Sequence, residues 1–481
     1  MTVSSGASPY ILSPLDHTMP KPYISFFLSF PLETPQNGLL SLQKGLTELI
    51  HRLPVLARDI VLRENADAHQ NVQVVLESNE ETNSIPMLQV KHHPTLSLQE
   101  IATQRVKSGM ENLHLVKACA PLPDFIHPLE RRPILRFAAN LMKDGILLVM
   151  TINHSFCDGS GTDTIIEALA ECCRMPNHDL GSPIFSLSDR VSREGLALLS
   201  TELDLNIDHS QQFNAPGATP CLSSDQWSGK MESLSNSPTS CRLELPGRKL
   251  EGLKKACNQM LSATACADWP LYVSSNNVVS ALICICRNKC RGEPDSSKKS
   301  ELTTLVNLRS RVEPPFPDYY LGNQVTAVRS PVGSGSSEAK LKIPDPSPSD
   351  ELGIGYEDLV QITTTAAGIR QSLLTINSCY VRSLLSYLQR QKDWNEINLQ
   401  FSDLTISSWR DWKVYRLDFG TDLGAVSHFH MHYGVKNGLT VIMPAGNIGA
   451  DWDMQLMIEA TDWPVLKSSP LFQWAFGDSL S

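Results

Sequence analysis

No run of about twenty apolar residues, the length a bilayer-spanning helix requires, occurs anywhere in the 481-residue chain. The opening stretch, MTVSSGASPYILSPLD, lacks a basic segment followed by an apolar one, so no secretory leader is expected there. The closing GDSLS is not a peroxisomal address. Basic charge is in deficit, with 41 Lys and Arg against 51 Asp and Glu, a formal net charge of −10. No basic patch forms of the kind that binding a phosphate backbone needs, which excludes nucleic acid as an expected partner. Cysteine is dilute at 12 residues, too few for a disulfide scaffold in so long a chain. Repeats of fixed period are also missing. These absences predict a cytoplasmic protein that engages neither a membrane nor a nucleic acid; a monomer is expected.

What is present is ordinary globular composition, 41% hydrophobic and 19% charged, at a length beyond what a single core serves. Two domains are expected, at 1–200 and 241–481, joined by a crossover linker at 201–240. The wider stretch 175–240 is rich in Ser, Pro, Asn and Asp and weakly periodic, and 330–350 reads as a second exposed loop. Helical spacing runs through LLSLQKGLTELIHRLPVLA (39–57), and VQVVLE (72–77) is strand-like. In ILRFAANLMKDGILLVMTINH (134–154), two β-rich runs flank Lys143-Asp144-Gly145, a strong hairpin signal. The second run is apolar at nearly every position, as in a strand buried on both faces. TDTIIEALAECCR (162–174) follows as a helix that Ser160 or Thr162 could cap. Further helices are expected from near Ser275 to 291 and across 356–390, with a strand over 301–311. The pattern is α/β with mixed sheets.

Asn153-His154-Ser155-Phe156-Cys157-Asp158-Gly159 lies where the buried strand gives way to a loop and then a helix. Such loops, held by rigid elements, are favoured places for catalytic groups. His154 at the strand end can offer a ring nitrogen with an ordinary pKa near 6.5, suited to accepting and returning a proton. Asp158 can shape the loop, and Gly159 admits backbone conformations closed to other residues. By itself His-x-x-x-Asp is weak, since about one chance match is expected in such a chain. A histidine hydrogen-bonded for structure explains the heptapeptide alone equally well.

The wider chain carries more. It contains Ile11-Leu12-Ser13-Pro14-Leu15-Asp16, Leu53-Pro54-Val55-Leu56-Ala57-Arg58, and His154 to Gly159 as H-x-x-x-D-G. Next come Val273 to Val278 with Ser280-Ala281-Leu282, then Val306-Asn307-Leu308-Arg309-Ser310-Arg311 with Pro314-Pro315, Tyr320 and Gly322-Asn323. Ser407-Ser408-Trp409 and Asp418-Phe419-Gly420 complete the series. In order and spacing these motifs resemble the BAHD acyltransferases, within them the fungal branch similar to the trichothecene 3-O-acetyltransferases.

The resemblance implies two chloramphenicol-acetyltransferase-like domains with an active-site channel between them. It implies an acyl-CoA co-substrate, most simply acetyl-CoA, a small-molecule acceptor, no tightly bound cofactor and no metal. His154 would act as general base without a covalent acyl-enzyme, and Asp158 would pair with an arginine, for which Arg309 is first choice. Ser407 stands where the family supplies a hydroxyl for the oxyanion. The resemblance gives Gly159, Arg309, Asp418, Phe419 and Gly420 structural roles, and Ser275 and Asn276 a place in CoA binding. Ile11 to Asp16 would form the opening strand. Three departures stand out: Thr421 and Asp422 replace the family's Trp-Gly after D-F-G, Asn277 stands where Asp is common, and Asn153 replaces a His that is frequent but not universal.

His428, His430 and His432 fall on one side of a strand and could be imagined around a metal, although no Cys or carboxylate pattern completes a site. Cys284, Cys286 and Cys290 read as small core residues, and Cys157 as incidental to the motif loop. The alternatives are a condensation- or cyclisation-type catalyst on the same scaffold, an N-acyltransferase, or a non-catalytic binder.

Overall fold

The computed structural model describes residues 10–65, 70–101, 113–175, 193, 195–196, 207–213, 238–264, 269–290, 300–316, 319–332, 341, 348–432, 437–446, 451–459 and 461–477. Most of the expected linker (201–206 and 214–237) and of the loop at 330–350 (333–340 and 342–347) lies outside the described residues.

The architecture is α/β with mixed sheets, as the alternating pattern predicts. A five-stranded sheet runs β13 (His428–His432), β2 (Tyr23–Pro31), β8 (Gly145–Asn153), β7 (Leu135–Met142), β5 (Leu88–His92), with β5 parallel to β7 and the other pairs antiparallel. A six-stranded sheet runs β11 (Val325–Pro331), β10 (Glu301–Asn307), β12 (Leu404–Ser408), β14 (Leu439–Ile442), β15 (Trp452–Glu459), β9 (Pro238–Leu245); its β10–β12 and β12–β14 pairs are parallel. A smaller antiparallel sheet holds β1 (Tyr10–Ile11), β4 (Gln70–Leu76), β3 (Asp59–Asn65) and β6 (Arg132–Pro133).

The Lys143-Asp144 turn closes β7 on β8 with Met142 opposite Gly145. Every residue of β8 is buried, and its alternation feeds two cores. Ile146, Leu148, Met150 and Ile152 join the large cluster beneath helices α1 (Pro35–Arg52) and α2 (Gly159–Arg174). Leu147 and Val149 point into a second cluster with Phe27 and Leu98. The six-stranded sheet is covered by α3 (Gly247–Thr264), α4 (Ser275–Cys290) and α5 (Tyr356–Leu374), whose apolar faces form a separate core.

Three details differ from the sequence expectations. The opening strand ends at Ile11, and Pro14–Thr18 is a one-turn helix. Ser13 and Asp16 form a reciprocal capping box there, and proline suits the first helical position. Helix α2 begins at Gly159, capped by Asp158 rather than by Ser160 or Thr162. Finally, residues from Trp409 to Met431 pack into the large N-terminal core, and β13 forms the edge of its sheet. A stretch that the sequence places within 241–481 thus lies in space with the first half.

Candidate active site

The loop after β8 is built by its own side chains. The Asn153 carboxamide oxygen accepts from the Ser155 amide at 3.0 Å, and the His154 amide donates to the Pro22 carbonyl at 3.3 Å. Asp158 is buried, and its carboxylate has four donors. Oδ1 accepts from the Gly161 amide at 2.9 Å and Arg309 Nη2 at 3.0 Å; Oδ2 accepts from Arg309 Nη1 and the Gln324 amide, both at 2.8 Å. Arg309 Nη2 also donates to the carbonyls of Tyr320 and Gly322. A buried carboxylate needs such compensation, and this set ties the end of the loop that carries His154 to Arg309 and Gln324.

A second buried pair underlies the same loop. Arg193 meets Asp16, and its Nη2 donates to the Phe156 carbonyl at 2.9 Å. Asp16 Oδ1 accepts from the Asn323 amide and side chain, while Asn323 Nδ2 also reaches the carbonyls of His154 at 3.0 Å and Ser155 at 3.3 Å. Asp16 and Asn323 sit within quoted motifs but carried no assigned role. Arg193 comes from a stretch without readable periodicity, so no local signal could have singled it out.

Gly159 serves a purpose other than the one expected. It is the first residue of α2 and does not have a positive φ. Its missing Cβ instead leaves room for two indoles: a Cβ there would stand 2.9 Å from Trp409 Nε1 and 3.0 Å from Trp412 Cζ2.

His154, Ser160, Ser407, Trp409 and Trp412 line one cavity of about 500 Å³, together with Ile24 and Phe26 from the N-terminal sheet and Leu439 and Val441 from the C-terminal one. The size is typical of a small-molecule site. Burial, partly offset by hydrogen bonds and the Asp158 charge, holds the His154 imidazole below its ordinary pKa. The imidazole is therefore the neutral, proton-accepting form at pH 7. The Cys157 thiol, buried beside Thr162, is pushed well above its ordinary range, which removes it as a thiolate nucleophile near neutrality.

Other predicted site residues lie elsewhere. Phe419 is fully buried against Phe30, Asp418 Oδ1 accepts from the Gly420 amide, and Gly420 has φ +91°, a conformation that favours glycine. Thr421 and Asp422 are exposed at this turn, and neither lines the cavity. Ser275 and Asn276 open α4, where Ser274 and Asn277 cap reciprocally; they too are outside the cavity lining. His430 stacks on Phe27 at 4.4 Å, His432 faces Asp124 at 3.6 Å and His428 is exposed. Among the described residues no cluster of three His, Cys, Asp or Glu suits a metal ion. Cys284 and Cys286 are buried core residues; the Cys290 side chain lies outside those described. Also among the described residues, no helix is long and apolar enough to cross a membrane.

Comparison with known proteins supplies the family. The Transferase family model matches residues 117–470, and the trichothecene 3-O-acetyltransferase-like N-terminal domain matches 23–173. The O-acetyltransferase pyr7 of Aspergillus fumigatus is 33% identical over 98% of this chain and 94% of its own. Fumigaclavine B O-acetyltransferase easN of the same fungus is 34% identical over 97% of each. The crystal structure of F. sporotrichioides TRI101 complexed with coenzyme A and T-2 matches with TM-score 0.72 at 17% identity, over 98% of this chain and 99% of that one. The shared fold is that of a two-domain acyltransferase. By family model, relatives and fold together, the chain belongs to the BAHD-type Transferase family and is an acyltransferase of its trichothecene 3-O-acetyltransferase-like fungal branch.

Proposed function

We propose that the protein transfers an acetyl group from acetyl-CoA to a hydroxyl of a small secondary metabolite. The observation that carries this reading is the joint opening of a neutral His154 and of Ser407 onto one largely apolar cavity. His154 accepts the proton of the acceptor hydroxyl while its oxygen attacks the thioester carbonyl carbon. The carbonyl electrons move onto oxygen, where the Ser407 hydroxyl donates a hydrogen bond. Collapse re-forms the carbonyl and breaks the C–S bond, and the imidazolium returns its proton to the leaving thiolate. CoA and the ester are the products. A thioester is already activated, so one base and one oxyanion donor suffice and no acyl-enzyme is needed. The O-acetyltransferase relatives and the CoA-bound fold neighbour support the donor and the reaction class.

The test is a mass-spectrometric screen of hydroxylated fungal metabolites with acetyl-CoA. A product heavier by one acetyl group is expected; transfer to amines alone would make the enzyme an N-acyltransferase. Ser407→Ala should lower kcat by up to about 10²-fold with both KM values nearly unchanged, because the bond forms only as charge develops. A pure KM effect would place Ser407 in acceptor binding. The pH profile follows from His154. Only its neutral form is active, and burial lowers its pKa, so kcat/KM should be flat near neutrality and fall on acidification with a midpoint below 6.5. A midpoint at or above 6.5 would contradict the buried, proton-accepting imidazole.

A further inference from the structure

Where the acyl group must lie follows from the two proposed catalytic groups. If Ser407 takes the thioester oxygen, an assignment that rests on the function proposed above, that oxygen sits about 2.7–2.8 Å from the Ser407 hydroxyl. The acyl chain is bonded to the same carbonyl carbon, so its first carbons also lie a few ångströms from Ser407. The chain runs two residues further to Trp409, which opens onto the cavity beside Ser407. Trp412 stacks on Trp409 with centroids 4.5 Å apart and planes 13° from parallel, and lines the cavity as well.

This stack is held on several sides. Phe26 lies 5.6 Å from Trp409 and 5.8 Å from Trp412, and Phe429 lies 5.8 Å from Trp412. The first turn of α2 presses on both indoles at Gly159. The two side chains are buried within the large N-terminal core. Interiors this closely packed do not open to admit extra methylenes without strain.

We propose that the Trp409–Trp412 stack closes the acyl end of the cavity and limits the donor to a short, uncharged acyl group, with Trp412 the residue that sets the limit. Trp409 adjoins the strand that carries Ser407, so altering it disturbs the oxyanion donor. Trp412 lies beyond the strand end, and truncating its ring frees space without moving that strand. The indole and phenyl faces also exclude an acidic acyl group, whose carboxylate would lose its water there without a partner.

Isothermal titration with CoA, S-ethyl-CoA and S-hexyl-CoA tests this without an acceptor, since the thioethers mimic short and long donors and cannot react. Wild-type protein should bind S-ethyl-CoA at least 10-fold more tightly than S-hexyl-CoA. Trp412→Ala should shift that ratio at least 10-fold toward the hexyl compound, within the range that added methylenes command in a fitted pocket. Trp412→Phe should keep the wild-type ratio. If the alanine variant does not fold, Trp412→Leu reads the same ratio. A folded, CoA-binding variant with an unchanged ratio overturns the assignment of Trp412 alone. Wild-type protein that binds neither CoA nor the thioethers overturns the proposed function itself.

Discussion

Replacing His154 by alanine should abolish most acyl transfer while leaving a folded protein that still binds CoA. The loss expected on removing a general base is on the order of 10²–10⁴-fold in kcat. Folding should survive because the loop is held by other groups: Asn153 and Pro22 fix its start, Asp158 caps α2, and Asn323 binds the carbonyls of residues 154 and 155. The imidazole itself contributes its ring to the cavity wall. Steady-state kinetics, with circular dichroism and CoA titration as controls, separate the outcomes. Turnover near the wild-type rate would end the general-base mechanism. Loss of CoA binding along with activity would mean that His154 holds the donor.

Asp158→Asn should act on stability as strongly as on rate. The carboxylate is almost wholly buried and binds Arg309 through both oxygens. Neutralising it strands a guanidinium in the interior, and breaking a buried pair from one side typically costs about 3–5 kcal/mol. The carboxamide can still accept from the Gly161 amide, so the helix cap survives in part. Its NH2 group, however, cannot accept, and since each carboxylate oxygen serves two donors, whichever way it turns two of the four lose that partner. The urea midpoint should therefore fall with an unchanged slope, and activity should fall because the His154 loop loosens. An unchanged midpoint with a reduced rate would show that the carboxylate acts on substrate rather than on the loop.

The parts of this fold that were legible in the chain are those set by short-range chemistry. The Asp-Gly turn, the apolar period of β8 and the helix after the motif are all readable within about twenty residues. The reading of Gly159 failed because space and backbone conformation leave the same mark in a sequence: a glycine. Only the position of two tryptophans 250 residues away distinguishes them. The cap of α2 was misread because Ser160 and Thr162 are good caps by type, yet Asp158 already holds the position one turn earlier. Trp412 carried no signal at all, since an aromatic between a strand and a loop is more often core than pocket wall.

By itself, then, the sequence determined the secondary-structure pattern, the family through its ordered motifs, and the identity of His154, Asp158 and Ser407 as candidates. Tertiary structure alone decided what those residues share. His154 directly follows a strand of one sheet and Ser407 belongs to a strand of another, and they meet because the two sheets wall a single cavity. The same packing carries residues 409–431 into the N-terminal core and joins Asp16, Arg193 and Asn323 beneath the histidine loop. Local patterns report which face of an element is apolar. They do not report which distant face will cover it, because burial is satisfied by any partner of suitable shape and the choice is made only when the whole core packs.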